Sequence, residues 1–249
     1  MDDPTSNRDN PPTESKRSPI RPAAPQSAPQ SVPPEPSNTP APPFAEGDAL
    51  TTSPTSALNM LRAKMEFVAD EFAQGNINRA QFNAVYKRYS EQRAIIERLI
   101  ERNPDSDAWK QVVSLKGQTG FLRHHFEAQP LYFAAYHKSS PKPIMSEGKS
   151  PPPEGVITSL LKGVWLMKNR PKHALGRKPI GESHWLLLAV GDFAATAVLF
   201  SLEPSNAQAR LVRDLHADFE RANQAALERG WIVPERMVFP QRAITETGF

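Results

Sequence analysis

"HWLLLAVGDFAATAVLFSLEP", residues 184–204, decides the fold. From Trp185 to Leu202 it runs 18 residues with a single charge, Asp192. A helix crossing a bilayer needs about 20 apolar residues. Asp192 would then lie near the bilayer centre, at a cost of roughly 2.5–3.5 kcal/mol. The other reading is a β-hairpin. Gly191-Asp192 supplies a two-residue turn of type II′, with glycine first. The flanking runs, His184–Val190 and Phe193–Leu202, have strand length and β-branched or aromatic content. An aspartate is at home in a turn, so the hairpin is expected and a membrane anchor through 185–202 is the alternative. Neither run alternates strictly, because Leu186-Leu187-Leu188 and Val198-Leu199-Phe200 are continuous. Strands apolar on both faces belong in the middle of a covered sheet.

Downstream, Glu203-Pro204-Ser205-Asn206 starts a helix, with Ser205 or Asn206 as cap. Leu211, Leu215, Phe219, Ala222 and Ala226 form its stripe, widened by Val212 and Leu227. Gly230 stands as the C-terminal cap of a helix about 23 residues long. Residues 231–240 read as an extended segment folding back, and 241–249 as a loose tail. Asp214, Asp218 and Glu220 can pair with neighbouring arginines on a solvated helix face.

Upstream of the hairpin, "LYFAAYHK", 131–138, reads as a strand. Residues 139–153, with five prolines, read as a long loop. "GVITSLLKGVWLM", 155–167, has helical apolar spacing. Residues 101–182 carry 13 Lys and Arg against 7 Asp and Glu, although the whole chain is only +3. The positive charge peaks in "KNRPKHALGRKPIG", 168–181. Lys168, Arg170, Lys172, His173, Arg177 and Lys178 are the candidate ligand-binding residues, suited to an anionic small molecule or nucleotide. A solvated connecting loop is the alternative. No aromatic residue interleaves these charges for base stacking, so nucleic acid is not the expected partner.

A helical hairpin precedes this domain, either a separate unit or packed on it. Leu58, Leu61, Met65, Val68 and Phe72 form one face of an amphipathic helix beginning near Ser56. Gly75 is its left-handed cap, and Asn78 with Gln81 makes a variant capping box for a second helix. That helix carries Phe82, Val85, Tyr89, Ile96, Leu99 and Ile100 and ends before Asn103-Pro104. The core, "LRAKMEFVADEFAQGNINRAQF", resembles the SHOCT (short C-terminal domain) family, whose motif is a helix, Gly-x-Ile-Thr-x-x-Glu-Phe, and a second helix. Gly75, Ile77 and Phe82 match, while Asn78 and Gln81 replace the Thr and Glu. The resemblance covers about residues 58–90 and implies an oligomerising or tethering element without catalytic residues.

Residues 1–54 hold 14 of the 26 prolines and few large hydrophobes. Such a segment cannot bury enough apolar surface to offset its chain entropy, so a disordered tail is expected. Met1-Asp2-Asp3-Pro4 is not the start of a secretory leader. The chain has no cysteine, which excludes disulfides and thiolate chemistry and fits a cytoplasmic location. None of its six histidines makes an H-x-x-x-H pair, and Gly181-Glu182-Ser183-His184-Trp185 is not a nucleophile elbow. The reading is therefore α+β: a tail (1–54), a helical hairpin (56–102), an α+β domain (119–240) and a final tail (241–249). No cofactor, metal or catalytic residue is expected. The order of the last part resembles GAF, roadblock and profilin-like families, in which a hairpin precedes a C-terminal helix packed on the sheet. That resemblance implies protein scaffolding or small-molecule sensing.

Overall fold

The computed structural model describes residues 53–114, 118–153, 155–169 and 171–246. All of them belong to one structural unit. The expected tail, 1–54, lies outside the described residues except for its last two positions.

The first helix, α1 (Pro54–Gln74), starts where Ser53 Oγ accepts from Ser56 N at 3.1 Å, with Pro54 in the first turn. It stops at Gly75, whose φ of 76° is easy only for glycine. The second, α2 (Arg79–Arg102), opens with the expected box: Asn78 Oδ1 accepts from Gln81 N, and Gln81 Oε1 accepts from Asn78 N. Two short helices follow, α3 (Ala108–Val113) and α4 (Gln118–His125). Sequence spacing gave no sign of either, because each is too short to show a period.

The domain beyond them is α+β. Five strands form one antiparallel sheet: β1 (Pro130–His137), β2 (Pro143–Gly148), β3 (Ala174–Ile180), β4 (His184–Val190) and β5 (Ala194–Phe200). Their order across the sheet is β2-β1-β5-β4-β3. The opening stretch is therefore a strand pair in the centre of a sheet. Among the described residues no helix is long and apolar enough to cross a membrane. Both faces are covered, which explains the unbroken apolar runs. Leu186, Leu188, Ala195, Ala197 and Leu199 face α5 (Val156–Trp165) through Ile157 and Leu161. Phe133, Leu187, Ala189, Val198 and Phe200 face α6 (Asn206–Ala222) through Ala209 and Val212. Complete burial of a side chain such as Phe200 stabilises by about 1.5–3 kcal/mol.

Several expectations are corrected. Residues 139–153 are not one loop, since 143–148 form edge strand β2. The basic stretch 168–181 is not one connecting loop either, since 174–180 form the opposite edge strand β3. The last helix is broken at Asn223 into α6 and α7 (Gln224–Arg229). Asn223 Nδ2 donates to Phe219 O and Val238 O, and its Oδ1 accepts from Val238 N. Its side chain thus diverts the backbone. Residues 231–240 include a single 3-10 turn at Pro234–Arg236. The supposed loose tail, 241–249, contains α8 (Arg242–Glu246). Ile244 is 1% exposed within the sheet face, and Arg242 reaches Glu147 of β2 at 3.6 Å. Residues 247–249 lie outside the described residues.

The helical hairpin is docked on this domain. Asn78 Nδ2 donates to Phe126 O at 2.8 Å, and Gln81 Nε2 donates to Arg123 O at 2.8 Å. Arg123 also forms a bidentate pair with the buried Glu71. Ala207 N donates to Gly75 O at 2.9 Å, and a Cβ on Gly75 would meet Asn206 Cβ at 2.4 Å. The capping residues therefore serve twice, ending helices and joining units.

Candidate ligand-binding cleft

The β4–β5 turn is not the one expected. Gly191 N donates to Ala194 O, so the two loop residues are Asp192 and Phe193. Gly191 lacks the positive φ that a type II′ turn demands of its first loop residue. It is needed for another reason. A Cβ there would lie 2.0 Å from Glu220 Oε2 and 2.5 Å from Oε1. Glu220, from α6, accepts three backbone N–H groups: Asp192 N at 3.1 Å on Oε2, and Phe193 N at 2.8 Å and Ala194 N at 2.7 Å on Oε1. A buried carboxylate with three N–H donors holds the turn against the helix.

One helical turn before Glu220 lies His216, 1% exposed. Its Nδ1 is 2.9 Å from Thr196 Oγ1, and Gln241 Nε2 donates to the same oxygen at 3.0 Å. The Thr196 hydroxyl thus joins His216 and Gln241 in one buried polar chain. Neither Nε2 nor Gln241 Oε1 has a hydrogen-bond partner. Burial lowers the His216 pKa from 6.5 to about 4, against the pull of Glu220, with His173 lowering it further.

Outside this buried group lies an open cleft of about 640 Å³. Lys172 and His173, just before β3, make one wall. Arg213, Asp214, Ala217, Arg221 and Gln224 make the other, with Glu220 at its root. Asp192 and Phe193 form the rim. His173 has φ 54°, an uncommon backbone state for a residue with a side chain.

The six basic candidates part company. Lys172 and His173 reach the cleft. Arg177 turns to the α6 face of the sheet, where its guanidinium donates to Asn206 Oδ1 at 2.6 Å. Lys178, the next residue, turns to the opposite face beside Gly155, Val156, Ser159 and Leu160. Strand alternation forces that separation. Lys168 lines neither cleft, and Arg170 lies outside the described residues. The expected cap at Gly230 has φ 68° and ends α7.

Spacing along the chain missed Arg213, Arg221, Asp192 and Glu220 as cleft residues. It also placed the face of α6 about one residue off. Leu211 is 43% exposed, whereas Val212, His216, Phe219 and Glu220 are buried. Two polar residues four apart next to an apolar stripe were the available signal.

The lining is balanced in charge. Lys172, Arg213 and Arg221 stand against Asp192, Asp214 and Glu220. Arg213 donates to Asp214 at 2.9 and 3.0 Å, and Arg221 donates to Asp218 at 3.1 Å. Among the described residues, the Lys172 ammonium and the Asp192 carboxylate have no ion pair. Phe193 has the Lys138 ammonium 4.4 Å from its ring centre. The chain matches no family model, no curated protein and no solved structure.

Proposed function

We propose that this chain is a non-enzymatic binding module whose α+β domain holds a small charged molecule in the cleft between the start of β3 and α6. One observation carries this reading. Residues far apart in sequence, Lys172, Asp192, Arg213 and Arg221, converge on one opening about the size of a small-molecule site. The turn beneath it is fixed by Glu220 before any ligand arrives, so little ordering cost remains for binding. A thermal-shift screen of the full chain against small charged metabolites tests it. Stabilising compounds should lose their effect in a Lys172→Ala/Arg221→Ala variant. No stabilisation across the set refutes the reading.

A second reading, self-association or partner binding through the hairpin, draws on a separate feature. Phe72 stacks on Phe82 at 4.8 Å, and Phe82 meets Tyr86 at 5.2 Å, with Phe72 and Tyr86 each 37% exposed. Sedimentation of the full chain should show concentration-dependent association that Phe72→Ser/Tyr86→Ser abolishes. A monomer at every concentration counts against it.

A further inference from the structure

We infer that the cleft takes a zwitterion, a molecule with an ammonium and a carboxylate on neighbouring atoms, such as an α-amino acid. This rests on reading the cleft as a ligand site and specifies its chemistry. Most of the charges that line the cleft are already engaged. Of the three carboxylates lining the cleft, Asp214 is held by Arg213, and both oxygens of Glu220 are held by the turn N–H groups. Of the three strong cations, Arg213 and Arg221 are held by Asp214 and Asp218. That leaves the Asp192 carboxylate and the Lys172 ammonium, with the His173 imidazole beside it.

The sheet register places these two charges together. Ala174 pairs with Val190 as the last partners of β3 and β4. Lys172 and Asp192 each stand two positions beyond that pair, at the same end of the sheet. They flank one mouth, yet they do not form an ion pair within 4.0 Å. A headgroup with opposite charges on adjacent atoms answers both: its carboxylate meets Lys172 and its ammonium meets Asp192.

Other ligand classes fit the same lining less well. A phosphate or nucleotide would meet Lys172 but would leave the Asp192 carboxylate facing an anion. An organic dication would meet Asp192 but would leave the Lys172 ammonium facing a cation. A neutral ligand would answer neither the Lys172 nor the Asp192 charge. The cleft, about 640 Å³, exceeds a headgroup alone. Ala217 and the ring of Phe193 offer apolar surface for a side chain.

Isothermal titration of the full chain tests this with each standard L-α-amino acid, inorganic phosphate, ATP and putrescine as probes. At least one amino acid should saturate the protein. Its N-acetyl derivative and its amide, each lacking one charge of the headgroup, should bind at least about tenfold more weakly. Asp192→Asn and Lys172→Gln should each raise Kd by about tenfold, the scale of a charge-assisted hydrogen bond. Both side chains are exposed, so neither change threatens the fold. Phosphate or ATP binding that depends on Lys172 and is unharmed by Asp192→Asn overturns the zwitterion and leaves the cleft as a ligand site. Amino-acid binding indifferent to Asp192→Asn overturns it too. Failure of every probe overturns the zwitterion and the ligand site together.

Discussion

Gly191→Ala is the substitution whose outcome the structure constrains most closely. The added methyl would sit 2.0–2.5 Å from the Glu220 carboxylate. That carboxylate is the far end of a flexible side chain, so the clash can be relieved by swinging it away. Doing so gives up all three turn hydrogen bonds. Bonds to a charged acceptor contribute about 1.5–3 kcal/mol each. The donors of Asp192 and Phe193 lie on the rim and regain water, whereas Ala194 is fully buried and does not. The net cost is then about 3 kcal/mol, and Glu220→Ala should cost about the same for the same reason. The two losses are one loss. In a Glu220→Ala background the methyl has nothing to displace, so Gly191→Ala should be neutral or stabilising by up to about 1 kcal/mol through the unfolded chain. Urea unfolding of wild type, both single variants and the double variant, followed by tryptophan fluorescence and far-UV circular dichroism, closes the cycle. The expected coupling is about 3 kcal/mol. Additivity to within about 0.5 kcal/mol, the level of independent sites, would refute the clamp.

Three buried polar groups make further outcomes measurable. His216 titrates near 4 when folded against 6.5 in the unfolded chain, so the unfolded state binds more protons between those values. Its contribution to stability is therefore present above about pH 6.5 and declines as pH falls toward 4, by about 3 kcal/mol in all; in His216→Gln, urea melts across that window should show a flatter pH slope. Asn78→Ala removes a helix cap and the bond to Phe126 O together, and should lower stability by about 2 kcal/mol in the same melts, more than a cap alone. Arg123→Met leaves Glu71 buried without its partner and should cost about 3 kcal/mol, while Glu71→Leu/Arg123→Met should recover most of that loss; an equally unstable double variant would refute the pairing argument.

What the chain displayed in advance, and what it hid, follows from how many neighbours shape each element. The α1–α2 junction was legible because Gly75, Asn78 and Gln81 act within a few residues of themselves. The β4 and β5 strands were legible because burial on both faces leaves them apolar throughout. Edge strands β2 and β3 were not. Each pairs on one side only, so Pro143 and Pro179 are tolerated and charge is favoured, and the result looks like loop sequence. The break at Asn223 was hidden because its cause, Val238, lies 15 positions on. The cleft was half legible. Lys172 and His173 belonged to a visible basic run, but Asp192 and α6 join them only through the register of β3 on β4.

The strand order has a consequence for how the molecule assembles and opens. The β3–β4–β5 meander pairs residues close in sequence, and β1–β2 is a local hairpin. The seam between them joins β1 to β5, with Ala134 opposite Ala197, sixty-three positions away. Loop-closure entropy makes such a seam slow to zip. Every residue lining the cleft falls between Lys172 and Gln224, on the meander side of that seam. A bound ligand should therefore slow amide exchange most in β4, β5 and α6, and less in β2, which lies farthest from the cleft.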